Sequence, residues 1–178
     1  YLESDKNAGG YHIYSIKGSN KDPLVKKQAV LDGIRTCPDE KLTVWFYGHG
    51  NEVDIGLVGS RSTSVNEQLT YQELGAALVR RMINKPSGQV TVIIDTCNAH
   101  KLAWNLYVHM YKGLKYHGYS DEDIVNMLPV IIAGTHENIA GGKSYGSVFQ
   151  HYLQAEMDFR VDRTRTRLPV ILKTSERM

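Results

Sequence analysis

Two short apolar runs, Leu42-Thr43-Val44-Trp45-Phe46-Tyr47 and Val90-Thr91-Val92-Ile93-Ile94-Asp95, constrain this chain more than any other feature. Each is too short for a buried helix and rich in β-branched and aromatic residues, so each reads as a strand of an open sheet. Between them Thr70-Tyr71-Gln72-Glu73 forms a capping box, and Leu74, Leu78 and Met82 follow at four-residue spacing, which predicts a helix over 70–84 closed by Pro86-Ser87-Gly88. Strand, helix and strand in that order call for parallel pairing, because a crossover helix returns the chain to the same edge of the sheet. The first run ends in Gly48-His49-Gly50 and the second in Asp95-Thr96-Cys97-Asn98. In a parallel sheet the carboxyl ends of neighbouring strands line one crevice, so an imidazole and a thiol 48 residues apart in sequence can meet there.

The remaining elements fit the same scheme. Residues 1–10 are polar and read as a loose lead-in, followed by a strand over 11–16. Asp22 as N-cap and Pro23 at the first helical position start a helix carrying Leu24, Ala29, Val30 and Ile34, with Pro38 beyond its end. An irregular hairpin over 53–58 is expected beside the histidine. After Cys97, Leu102, Leu106, Met110 and Leu114 mark a long amphipathic helix ending near Gly118. Ser120 caps a short helix through Leu128, Pro129 stops it, and a strand over 130–134 follows. A helix over 144–154 and a last strand over 170–172 complete the reading. Apolar strands alternating with helices indicate a three-layer αβα sandwich with a mostly parallel central sheet. At 178 residues and 42% hydrophobic composition the chain suits one domain, residues 1–178.

Composition narrows the function classes. Twenty-one basic and 19 acidic residues leave a formal charge of +2, which gives no global field for nucleic acid. No apolar stretch approaches the roughly 20 residues that span a bilayer, so neither a nucleic-acid nor a membrane partner is expected. Two cysteines, Cys37 and Cys97, make no disulfide framework and favour a reducing compartment such as the cytosol. The opening at Tyr1 fits an excised domain. No spacing of His100, His136 or the cysteines reads as a zinc site, and no metal is expected.

The chemistry follows from the strand ends. A thiol is mostly protonated at neutral pH, and a neighbouring imidazole can take its proton. His49 is the candidate base and Cys97 the candidate nucleophile; the amides of Gly50 and Cys97 are candidate donors to an oxyanion. Attack on a peptide carbonyl would give a thioester acyl-enzyme. The partner class is then a protein or peptide substrate, with no cofactor required. Taken singly, a strand-end cysteine is usually a small buried hydrophobe and a lone histidine usually structural; the pairing at two strand ends is what favours catalysis.

A strand ending in His-Gly, followed about fifty residues later by a strand ending in Asp-x-Cys, resembles the caspase-like superfamily of cysteine peptidases (clan CD). The stretch Ala133-Gly134-Thr135-His136-Glu137-Asn138, followed by Ser144-Tyr145-Gly146-Ser147-Val148-Phe149, resembles the metacaspase and clostripain-like pattern of a strand, a pocket-lining turn and a helix. Toxin self-processing domains belong to the same superfamily. The chain departs from many relatives after the nucleophile, with Cys97-Asn98-Ala99-His100 in place of Cys-x-Ser/Ala-Gly.

The resemblance implies that Asp95 lines a pocket for Arg or Lys, although an acid there can equally cap the following helix; Thr135 and Glu137 are further pocket candidates. It also implies self-processing, with Lys101, Lys112, Lys115 and Lys143 in or near loops that such enzymes cut. Calcium, through Asp121-Glu122-Asp123, and inositol hexakisphosphate, through the arginines at 160, 163, 165 and 167, are candidate activators; a solvated helix start and a solvated loop are the plainer readings. Two alternatives stand beside the peptidase: an inositol-phosphate-activated effector domain delivered to the cytosol, and a catalytically silent binding module.

Overall fold

The computed structural model describes residues 2–5, 13–16, 23–57, 68–134, 142–143 and 146–147. Its centre is a parallel three-stranded sheet of β3 (Lys41–Gly48), β6 (Gln89–Thr96) and β7 (Val130–Ala133), in the order β3-β6-β7. The β3–β6 ladder pairs Lys41 with Gln89 at one end and Gly48 with Thr96 at the other. Both runs singled out in the sequence are therefore neighbouring parallel strands.

Helix α2 (Tyr71–Asn84) connects β3 to β6, and α3 (Ala99–Tyr116) connects β6 towards β7 through the short α4 (Asp121–Met127). Crossovers between parallel strands are right-handed almost without exception, so two in the same direction along a sheet put their helices on one face. Accordingly α2 and α3 pack on each other. Their buried stripes, Leu74, Leu78 and Met82 with Leu102, Leu106, Met110 and Leu114, share one core with Val90, Val92 and Ile94 of β6 and Phe46 of β3. Helix α1 (Pro23–Thr36) joins this core through Leu31 and Ile34. Gly75 and Gly113 lie where the two long helices touch: a β-carbon on Gly75 would stand 2.6 Å from His109 Cδ2, and one on Gly113 3.1 Å from Val79 Cγ2.

On the other face Ile93, Asp95 and Ile132 are buried while Trp45, Tyr47 and Val130 are exposed. All four described helices contribute their buried residues to the first face. The structure is thus mixed α/β, a parallel sheet flanked by helices. The last strand expected, over 170–172, lies outside the described residues.

Capping follows the sequence closely. Thr70 Oγ1 accepts from the Glu73 amide at 3.2 Å, and Glu73 Oε2 accepts from the Thr70 amide at 3.0 Å. Ser120 and Asp123 close a second box at α4, with Ser120 Oγ accepting from the Asp123 amide at 3.1 Å. Asn98 is the N-cap of α3, with φ 55° and ψ 27° and no side-chain cap bond. The segment that follows α1 is held from outside. Arg81, 1% exposed, donates to the Cys37 carbonyl at 2.9 Å and the Asp39 carbonyl at 2.6 Å, and Lys85 donates to the Pro38 carbonyl.

Four expectations need correction. The stretch read as a loose lead-in contains β1 (Leu2–Asp5), paired antiparallel with β2 (Ile13–Ile16). Leu-Glu-Ser-Asp carries little strand propensity, and its pairing comes from its partner. The hairpin beside the histidine folds back at Gly50 and Ile55, earlier than expected, and its β4 (Asp54–Gly56) pairs with an unexpected strand, β5 (Gln68–Thr70), whose Leu69 is fully buried. The start of the helix expected over 144–154 falls on β9 (Gly146–Ser147), paired with β8 (Gly142–Lys143). Glycines at 141, 142 and 146 favour a tight turn over a helix start; the rest of that span is outside the described residues. Finally, Lys101, Lys112 and Lys115 lie within α3 and not in loops. A peptidase would have to unwind that helix to reach them.

Two outcomes are expected. Arg81→Met keeps the stem of the side chain and removes its donors, which should cost about 2–3 kcal/mol in urea denaturation; an unchanged midpoint would mean that desolvation of the guanidinium offsets its bonds. Glu73 also pairs with Lys27 at 2.5 Å. Burial raises its pKa, but Lys27 and the Thr70 amide and hydroxyl outweigh that and hold the carboxyl below its usual value. A depressed carboxyl stabilises the fold above its unfolded value of about 4.3, and the contribution is lost as pH falls through the folded value. The stability gap between wild type and Glu73→Gln should therefore hold steady at neutral pH and shrink on acidification below about pH 4.3. A gap that stays constant down to about pH 3 would leave the pair no linkage role.

Candidate functional site

The pairing of Gly48 with Thr96 decides the site. His49 and Cys97 are the next residues on adjacent strands about 4.8 Å apart, and they leave the sheet at the same level. His49 is exposed and Cys97 half-buried. Among the described residues no hydrogen bond joins the thiol to the imidazole. They are neighbours by backbone placement.

The turn that carries His49 is fixed on both sides. Gly48 has φ +143°, a conformation that side chains avoid. Gly50 lies against β6: a β-carbon there would stand 2.7 Å from Thr96 Oγ1 and 2.8 Å from Thr96 Cβ. Gly50 also bridges Ile55, and the flanking bonds run from the Gly56 amide to the His49 carbonyl (2.8 Å) and from the Asn51 amide to the Asp54 carbonyl (2.9 Å). Both ladder bonds belong to its neighbours. The Gly50 and Cys97 amides donate to no backbone acceptor among the described residues, the condition that an oxyanion donor must meet.

Asn51 builds the tip of the turn. Its Oδ1 accepts from the amides of Val53 (2.7 Å) and Asp54 (3.0 Å), and its Nδ2 donates to Asp54 Oδ1 at 3.0 Å. This is an Asx-turn, in which a side-chain amide replaces a backbone turn. Sequence reasoning misses Asn51, whose only signal is an Asn three residues before an Asp in a polar stretch. Across the turn, the Glu52 carbonyl accepts from Asn105 Nδ2 of α3 at 2.8 Å, and Glu52 Oε2 lies 3.6 Å from Lys101 Nζ.

Cys97 stands between the end of β6 and Asn98. Thr96, fully buried, donates its hydroxyl to the Cys97 carbonyl at 3.2 Å. The left-handed conformation of Asn98 turns the chain sharply from strand to helix, a conformation asparagine tolerates better than most residues. Asp95 is 1% exposed and lies in register with Tyr47, on the face away from Ile94 and Thr96. The N-cap position of α3 belongs to Asn98 and not to Asp95.

The other candidates divide as follows. Thr135, Glu137, His136 and the arginine segment 160–167 lie outside the described residues. His100 is exposed on the first turn of α3. Cys37 is half-buried at the end of α1, its thiol 3.8 Å from Asp39 Oδ2. Of the acidic trio, Asp123 closes the α4 capping box, while Asp121 accepts from the Tyr111 hydroxyl at 2.6 Å and pairs with Lys115 at 3.0 Å. Among the described residues no group of three or more His, Cys, Asp or Glu is placed to hold a metal, and no helix is long and apolar enough to cross a membrane.

Comparison with protein-family models, with curated proteins and with solved structures found no match.

Because Gly50 has no room for a side chain, Gly50→Ala must displace the turn from Thr96. The expected cost is about 1–3 kcal/mol in a denaturant melt. A loss below about 0.5 kcal/mol would show that the turn shifts freely, and with it His49.

Proposed function

We propose that this chain is a cysteine endopeptidase of caspase-like architecture, a three-layer αβα sandwich, acting through Cys97 and His49. The observation that carries the reading is the in-register parallel pairing of β3 with β6, which ends one strand at the histidine and its neighbour at the cysteine.

In this mechanism His49 takes the thiol proton as Cys97 Sγ bonds to the carbonyl carbon of the scissile peptide. The oxygen, now negative, is held by the amides of Gly50 and Cys97, neither engaged with a backbone acceptor among the described residues. Cys97 also precedes the N-terminus of α3, where the helix dipole favours negative charge. Collapse of the tetrahedral intermediate breaks the C–N bond, and His49 gives its proton to the leaving amine. Water then attacks the thioester, His49 takes one of its protons, and loss of the thiolate releases the carboxylic acid, which ionises to solvent. His49 returns the proton to Cys97 or shares it with the thiolate as an ion pair.

Specificity for Arg or Lys rests on Asp95, with Thr135 and Glu137 as further pocket residues. A buried carboxylate discriminates strongly, since a guanidinium satisfies it in bidentate fashion and a neutral side chain does not. Asp95 at 1% exposure fits a pocket floor reached by a long side chain better than a rim contact.

Hydrolysis of fluorogenic peptides with Arg, Lys, Asp, Asn or Leu at the cleaved position tests all three assignments. Cys97→Ala and His49→Ala should each reduce kcat at least about 100-fold in folded protein. Asp95→Ala should raise KM for Arg and Lys substrates without abolishing the reactivity of Cys97 towards an acyloxymethyl-ketone probe. Adding inositol hexakisphosphate or calcium separates a regulated effector from a constitutive enzyme. An unreactive Cys97 in every condition would favour a silent binding module.

A further inference from the structure

The imidazole of His49 stands on a turn outside the sheet, and a turn is the least constrained part of such a site. Here it is held at its tip. Internally, Asn51 closes the Asx-turn and the His49 carbonyl is bonded to the Gly56 amide. Externally, the Tyr71 amide donates to the Val53 carbonyl at 2.9 Å, and two side chains of α3 reach the turn at Glu52: Lys101 pairs with its carboxylate, and Asn105 donates Nδ2 to its carbonyl at 2.8 Å. Helix α3 is the element that begins two residues after Cys97. The bond therefore links the helix that follows the thiol to the loop that carries the imidazole.

We infer that Asn105 is a positioning residue for His49, clasping the 49–56 turn to the helix that follows Cys97. The inference rests on the peptidase reading for its catalytic consequence, while the clasp itself rests on geometry alone. Three features make the bond suited to the task. It ends on a backbone carbonyl, so it fixes the path of the turn and not a mobile side chain. Asn105 lies on α3 over the second helical turn, rigidly set by Leu102 and Leu106, which are buried at 1% and 0% exposure on either side of it. The other tie across this gap, Glu52 with Lys101, is an exposed pair at 3.6 Å whose contribution is small. Positioning errors of about 1 Å are enough to slow such chemistry about 100-fold.

The test compares wild type with Asn105→Ala, which removes the donor, and Asn105→Gln, which keeps an amide donor. Two readouts are taken: hydrogen exchange at the Asn51 and Gly56 amides, and kcat and KM on the best substrate. Asn105→Ala is expected to speed exchange at both amides and to lower kcat about 10- to 100-fold with KM changed less than about threefold, and Asn105→Gln to restore part of both. Unchanged exchange in Asn105→Ala overturns the clasp, whatever the activity. Faster exchange with unchanged kcat overturns positioning and leaves a purely structural tie. If wild type shows no hydrolysis dependent on Cys97, the peptidase reading falls instead, and the exchange result alone upholds or overturns the clasp.

Discussion

The structure depends on one ladder, the parallel pairing of β3 with β6. Its register is set by burial. Phe46 and Ile94 are partners and both belong to the core under α2 and α3. A slip of one residue would send Ile94 and Val92 to the opposite face and bring Asp95 into the apolar core. The same register brings Gly48 opposite Thr96, so the packing that stabilises the sheet also sets His49 beside Cys97. Core energetics and site geometry are here one constraint.

Around that ladder the helices are held by polar devices at their ends more than by their length. Glu73 completes the start of α2 and also pairs with Lys27 of α1, so one carboxylate joins two helices. Arg81 and Lys85, from the far end of α2, take up the carbonyls of Cys37, Pro38 and Asp39 in the segment between α1 and β3. The bonds fall mainly on the segment that follows α1, Cys37 to Asp39, with Arg81 also within 3.5 Å of the Ile34 carbonyl in the last turn of the helix. This arrangement fixes the approach to β3, and β3 delivers the histidine.

The turn after β3 has the opposite character. Its tip, Asn51, Glu52 and Val53, is exposed and packs into no core. The turn is ordered by short-range bonds around Asn51, the close seating of Gly50 on Thr96, the pairing of β4 with β5, the bond from the Tyr71 amide to the Val53 carbonyl and the contact from Asn105. Such a loop is well suited to hold one side chain in a fixed place at an open edge, since hydrogen bonds are directional where apolar packing is not.

Much of this was legible in the chain itself. Apolar periodicity marked β3, β6 and β7 and the stripes of α2 and α3, because burial of apolar surface dominates the driving force for folding and leaves its period in the sequence. The caps at Thr70 and Ser120 were readable because a cap is a local bond between residues three apart. The likeness of the two strand ends, one glycine-flanked histidine and one cysteine after an acid, came from sequence alone. Other features required the tertiary structure. Leu2–Asp5 and Gln68–Thr70 are strands only because partners lie beside them, and neither carries the pattern of a buried run. That Gly50 must lack a side chain follows from Thr96, 46 residues away, and the role of Asn105 from a carbonyl 53 residues away. Sequence determines which faces are apolar and where helices begin; contacts between distant polar groups are decided only when the core has brought them together.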